Sequence, residues 1–250
     1  MILDTLKSKA LKSAKRNNLF LKEYMLDETF TFCIISNGEK DFIGLTLTPK
    51  NEGKLSTFKS NSIEEILTTI NYDLAQRAVT LALINAIGQY ELGKVDIPLK
   101  ANLRIALYET IINESSENDN IVFIGNLKPV VKKLSSYRKN VTVFCRSMTD
   151  EKNGVYNDIF EYEAVSKANI VVITGAALIG STIDAILKFA TNAKTVILSG
   201  FSAGINPLWL EGYNITHVAS TSLKETKKED ILNITLEKIF DNPCYCIKRE

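Results

Sequence analysis

Asn169–Ala190 reads NIVVITGAALIGSTIDAILKFA, and this stretch decides the fold. Ile170, Val171, Val172 and Ile173 form an apolar β-branched run that stops at Thr174-Gly175. A loop with small residues follows. Ser181-Thr182 then opens a helix with Ile183, Ile186, Leu187 and Ala190 on one face. Strand, glycine turn and helix make the repeating unit of an open parallel sheet, whose ligands bind outside the carboxyl ends of the strands.

The same unit recurs on both sides. Upstream, Ile121–Ile124 is a strand followed by Gly125-Asn126 and a helix near Pro129–Leu134, and Val141–Cys145 is a second strand. Ile159–Lys167 reads as a connection ending in a helical turn. Downstream, Thr195–Leu198 is a strand ending in Ser199-Gly200, Ile215–Ala219 is a short fifth strand, and Lys228–Phe240 is a closing helix. Strands and helices alternating at this spacing predict a parallel sheet with right-handed crossovers.

The amino-terminal part is patterned differently. Leu3, Leu6, Ala10 and Ala14 predict a helix over residues 2–16. Phe30–Ser36 and Asp41–Thr48 flank Asn37-Gly38, a hairpin signal. Lys50–Gly53 reads as a polar loop. Ser62 and Glu65 form a capping box that opens a short helix. Leu74–Tyr90 is a helix apolar nearly all round, which predicts burial. Asn85 lies inside it, and a buried amide must find partners, so it either holds a loop or faces a ligand. Residues 93–102 look like a connection, Leu103–Asn113 like a helix, and Glu114–Asn120 (ESSENDN) like the clearest polar break. The expected organisation is α/β, with a small α+β domain over 1–100 and a parallel-sheet domain over 101–250.

A chain of 250 residues with 45% apolar residues can bury a sizeable core. Its formal charge of +1 gives no electrostatic argument for nucleic acid or a membrane surface. No apolar run reaches membrane-spanning length, and the basic amino terminus lacks the apolar core of a secretory signal, so the expected compartment is the cytoplasm. The four cysteines are unevenly spaced, unlike a disulfide framework.

Three strand ends carry small polar residues: Gly125-Asn126, Thr174-Gly175 and Gly200-Phe201-Ser202. Parallel strands put all three on one edge, where glycine admits a ligand close to the backbone. The helix opening at Ser181-Thr182 offers free N–H groups to an anion. Ser181 alone reads as an N-cap, but the three turns as a set read as a ligand edge. The dinucleotide fingerprint is missing, because Gly125 stands without the other glycines and the second strand ends in Cys145-Arg146 rather than an acid. Arg146 suits a phosphate. Cys244-Tyr245-Cys246 is a C-x-C pair short of a four-ligand zinc set, and its metal binding stays open. His217, the only histidine, reads as structural.

With these turns in view the chain resembles the two-domain family labelled "putative heavy-metal chelation". The matching stretches are Gly44–Thr48 (GLTLT), Arg77–Ile87 (RAVTLALINAI), Ile124–Val130 (IGNLKPV), Val172–Leu187 (VITGAALIGSTIDAIL) and Leu198–Pro207 (LSGFSAGINP). The resemblance implies an enolase N-terminal-like domain followed by a Rossmann-like domain, with a ligand cleft between them. By motif position it carries over to Asn85, Gly125, Thr174, Gly175, Thr182, Gly200 and Ser202. It implies a small anionic or metal-bearing ligand, a metal ion as the cofactor, and a link to heavy-metal or corrinoid metabolism. The chain departs from the family at Gly180-Ser181-Thr182, Gly200-Phe201-Ser202 and Cys145-Arg146. The alternatives are an enzyme acting on a phosphorylated or nucleotide-like substrate, and a scaffold whose site has degenerated.

Overall fold

The computed structural model describes residues 1–49, 60–70, 72–137, 139–146, 149–224, 226–232 and 235–249. The expected loop at 50–53 lies outside these residues. In the amino-terminal half, β1 (Phe20–Leu26), β2 (Phe30–Ser36) and β3 (Asp41–Leu47) form an antiparallel sheet in the order β1-β2-β3. The Asn37-Gly38 turn joins the second pair, with Gly38 at φ +93° and Ser36 opposite Asp41. Three helices accompany the sheet: α1 (Ile2–Arg16), α2 (Ile63–Thr68) and α3 (Leu74–Leu92). Ser62 caps α2 through the Glu65 N–H, as the capping box predicts, and Asp73 caps α3 through the Gln76 N–H.

Side-chain alternation along β3 sends its two faces to different neighbours. Ile43 and Leu45 join Phe30, Phe32, Ile34 and Phe201 in one apolar cluster. Gly44 faces α3, where a Cβ would lie 2.0 Å from the Ala82 carbonyl oxygen and 2.1 Å from the Ala86 nitrogen. Helix and strand meet backbone to backbone there, and only glycine leaves the room.

The carboxyl-terminal half is built on a seven-stranded sheet. Its strands are β4 (Asn120–Ile124), β5 (Asn140–Phe144), β6 (Val155–Tyr156), β7 (Ile170–Thr174), β8 (Thr195–Ser199), β9 (His217–Thr221) and β10 (Cys244–Lys248). The order is β10-β9-β8-β7-β4-β5-β6, parallel except for β10 against β9. Chain order reverses between β4 and β7, the switch point of a doubly wound sheet. Val171, Ile173, Val196, Leu198 and Val218 pack on one face with α1, α3, α6 (Glu161–Ser166) and α7 (Thr182–Phe189). Ile170, Val172, Ile197 and Ala219 pack on the other with α4 (Leu103–Glu114) and α5 (Lys128–Ser136).

The first of these clusters runs without a break from Leu6, Ile35 and Leu83 into Val171 and Leu198, so both halves share one apolar core. Helix α1 is tied to the large sheet's layer: the Ile2 N–H donates to Asp184 Oδ1 at 2.9 Å, and Thr5 meets Tyr213 through their hydroxyls at 2.7 Å. The closing helix expected over 228–240 is instead α8 (Lys228–Leu232) and α9 (Leu236–Ile239), because Thr235 is extended and caps α9 through the Lys238 N–H. Among the described residues no helix is long and apolar enough to cross a membrane.

Candidate functional site

The carboxyl edge of the large sheet divides into a packed seam and an open corner. The seam follows the switch point. Gly125 leaves β4 at φ +104°, and a Cβ there would lie 2.4 Å from the Thr174 side chain at the end of β7. Gly175 sits against the Ser202 backbone, 2.4 Å from where its own Cβ would stand. Ser202 Oγ accepts from the Leu47 N–H at 3.1 Å, which ties β3 to the turn after β8. Asn85 Nδ2 donates to the carbonyls of Leu45 at 2.9 Å and Ser202 at 3.2 Å. One helical turn on, Gln89 accepts from the Leu223 N–H at 3.0 Å.

Asn85, Gly125, Thr174, Gly175 and Ser202 are thus brought together, but against protein. Where the resemblance implies a cleft between halves, α3 lies directly on the turn at 201–204. Gly88 makes this possible, since its Cβ would fall 2.5 Å from the Gly204 carbonyl. Asn85 Nδ2 holds both segments, as the loop-holding reading expects, while its Oδ1 is buried without a hydrogen-bond partner among the described residues. Asn85→Ala strands two carbonyls of a site that is 1% exposed, so we expect a loss of about 2–3 kcal/mol in urea unfolding.

The start of α7 is also engaged. Ser181 is left-handed at φ +57° and makes no side-chain cap; its Oγ accepts instead from the Arg77 guanidinium of α3. Ser181 thus stands at the N-cap position, as read, without the capping bond. A 3-10 turn over Gly175–Leu178 precedes it. Thr182 Oγ1 reaches back to the Ala177 carbonyl at 3.5 Å. Arg146, read as a phosphate ligand, holds Asp158 at 2.7 Å. Beside that pair Glu161 is 3% exposed, and its carboxyl is pushed up to about 7, first by burial and then by the Asp158 charge, with Arg146 opposing.

The open corner lies at the turn leaving β4. A cavity of about 70 Å³ opens there, lined by the predicted residue Asn126 and by Ser199, which precedes the predicted Gly200. Leu103 and Leu107 of α4, Leu127 and Val130 at the start of α5, and Phe240 form its apolar wall. Gly200, at φ +101°, turns the chain away, its carbonyl accepting from Ser220 Oγ at 2.9 Å.

Three features give the cavity a polar character. Arg104 lines it, its guanidinium 5.0 Å from the Phe240 ring centre and 3.9 Å from Asp241, a stacked and loosely paired cation. Helix α5 follows Leu127 with no side-chain cap; Pro129 has no N–H and the Val130 and Val131 N–H groups return to the Leu127 carbonyl, which leaves the Lys128 N–H for a ligand. Ser199 is fully buried, and its Oγ has no hydrogen-bond partner. Sequence reasoning missed Arg104 because it sits in an ordinary helix start, capped by Asn102 through the Arg104 and Ile105 N–H groups, far in sequence from the turn it faces.

Among the described residues the donor side chains do not gather into a chelating centre. Cys244 and Cys246 face the α4 side of β10; burial pushes the Cys244 thiol up to about 11 and raises that of Cys246, which lies 3.2 Å from Thr110 Oγ1. His217 is buried, as the sequence reading expects, with Nδ1 2.9 Å from Thr216 Oγ1 and its pKa lowered by burial. Among the described residues no three cysteine, histidine or carboxylate side chains converge on a point.

The comparisons agree with this fold. A family model described as "Putative heavy-metal chelation" matches residues 110–236. An uncharacterized protein of Methanocaldococcus jannaschii is 30% identical over 237 residues, 91% of this chain and 89% of that protein. A solved protein of unknown function from Pyrococcus horikoshii is similar with a TM-score of 0.80, over 100% of both chains at 23% identity. Another, from Desulfitobacterium hafniense, has a TM-score of 0.74 over 98% of both chains at 13% identity. At these identities the two solved structures speak for the fold alone.

Proposed function

We propose that this chain, which belongs to the family described as "Putative heavy-metal chelation", is a small-ligand-binding protein that takes an anionic ligand at the carboxyl edge of its large sheet. The observation that carries this reading is Ser199 Oγ, buried without a partner in the wall of a cavity at the switch strand. A buried hydroxyl left unpaired costs about 1–3 kcal/mol, and a bound anion would recover it. Asn126, Arg104 and the Lys128 N–H supply the remaining polarity. Any metal the protein handles arrives, on this reading, within the ligand, since the described side chains offer no chelating set.

Thermal unfolding of the full chain tests this. At least one of two small anions, inorganic phosphate and acetate, should raise the melting temperature in a saturable way; at 100 times Kd the gain is about 2.7 kcal/mol. Zinc, nickel or cobalt chloride alone should not. Ser199→Val should abolish the anion response while the chain stays folded, because valine fits the same apolar wall. A response to the bare metals with none to anions would overturn the reading.

A second reading, catalysis on a bound phosphorylated substrate, is favoured by Glu161, a carboxyl poised near neutrality beyond the ends of β5 and β6. It predicts turnover that disappears in Glu161→Gln while the ligand still shifts the melting temperature.

A further inference from the structure

We infer that the cavity between α4, α5 and the end of β8 is built for an organic carboxylate with a short hydrocarbon body, not for inorganic phosphate. The inference rests on the anion-binding reading above and specifies its ligand. Size comes first. A water needs roughly 10–15 Å³ of such space, so about 70 Å³ holds a ligand of some five or six heavy atoms.

Donor supply comes second. Phosphate loops surround a dianion with successive glycine N–H groups and a lysine. Here the turn has the single Gly125, and Pro129 in the first turn of α5 removes an N–H. The cavity's cation is Arg104, and it is shared with Asp241. One guanidinium, one hydroxyl and one amide match a monoanion. The planar guanidinium fork fits a carboxylate with two parallel bonds. Its partner Asp241 stands 3.9 Å away and keeps a second bond from Asn102 Nδ2 at 2.9 Å, so Asp241 is not left unpaired when Arg104 turns to a ligand.

The wall comes third. Leu103, Leu107, Leu127, Val130 and Phe240 would strip water from an alkyl chain and repel a hydrated oxyanion. Ser199 lies on the floor, on the same face of β8 as the apolar Ile197, where its hydroxyl can donate to a carboxylate oxygen. Head at Arg104 and Ser199, body against α4 and Phe240, is an arrangement for an amphiphilic monoanion.

Isothermal titration of the full chain against acetate, propionate, butyrate, hexanoate, n-butanol, n-butylamine and inorganic phosphate tests the assignment. Affinity should rise about fourfold per methylene from acetate to butyrate, and drop at hexanoate when the cavity is full. n-Butanol and n-butylamine should bind at least tenfold more weakly than butyrate. Arg104→Gln should weaken butyrate at least tenfold and flatten its preference over n-butanol; Ser199→Ala should weaken it about fivefold. Far-UV circular dichroism of both variants confirms folding. Phosphate binding more tightly than butyrate, with both variants affected, overturns the carboxylate inference and leaves the anion reading standing. n-Butanol matching butyrate, or every anion failing to bind, overturns both.

Discussion

Gly44→Ala abolishes cooperative folding, or lowers stability by more than about 4 kcal/mol in urea unfolding, although the change adds a single methyl group. The new Cβ would stand 2.0 Å from the Ala82 oxygen and 2.1 Å from the Ala86 nitrogen. Neither atom belongs to a side chain that can rotate away. Both are fixed in the ladder of α3, and Gly44 is fixed in β3 opposite Cys33. Relief needs a shift of more than 1 Å between helix and sheet. That shift would also pull the Leu45 carbonyl from Asn85 and the Leu47 N–H from Ser202. Losses of this size come from a few mechanisms, and overpacking with broken buried hydrogen bonds combines two of them. Gly38→Asn is the control. It sits in the hairpin turn, where its surroundings are open and a side chain meets only the strain of a φ of +93°, so the cost should stay at about 1–2 kcal/mol. A Gly44→Ala protein within 1 kcal/mol of the parent would mean that α3 does not lie on β3 as described.

That contact explains what the sequence could and could not reveal. The unit at 169–190 is legible because its apolar run, glycine turn and helical face are all local. The strand appears at Ile170–Thr174 and the helix at Thr182–Phe189. The hairpin at Asn37-Gly38 is legible for the same reason. Strand β1 is not: FLKEYML mixes charge and apolar residues without clean alternation, and it is an edge strand with an irregularity between Leu21 and Glu23. Strand β10 is hidden in CYCIK, whose buried Tyr245 and two cysteines serve opposite faces. The site was legible by halves. Small residues at three strand ends mark the carboxyl ends of β4, β7 and β8. Nothing local says that Gly175 and Gly88 use their missing side chains to admit backbone rather than ligand. Nor does anything local bring Arg104 and Ser199, 95 positions apart, to one cavity. Those are facts of packing.

Glu161→Gln should stabilise the protein by about 2–3 kcal/mol at pH 9 and leave it nearly unchanged at pH 4. The carboxyl of Glu161 titrates at about 7 in the folded chain against an ordinary 4.5. The folded state therefore holds a proton that the unfolded state has released across that interval. This contribution to stability is complete below pH 4.5 and is lost as pH rises through 7. The whole interval is worth about 3 kcal/mol. Other groups pull the opposite way. Glu114, held below the usual range first by Lys248, and Asp119, held there by Lys194 against its burial, lose stability on acidification. His217, lowered by burial, favours the folded state above its unfolded pKa and loses that support as pH falls. These terms are common to both proteins and cancel in the difference between them. What remains is the carboxyl itself with its neighbours Asp158 and Arg146. Glutamine keeps the shape and removes the charge, so the two unfolding curves should separate between pH 5 and 8 and run parallel outside it. A difference that does not change with pH would show that the side chain is hydrated, and the acid–base reading of this edge would go with it.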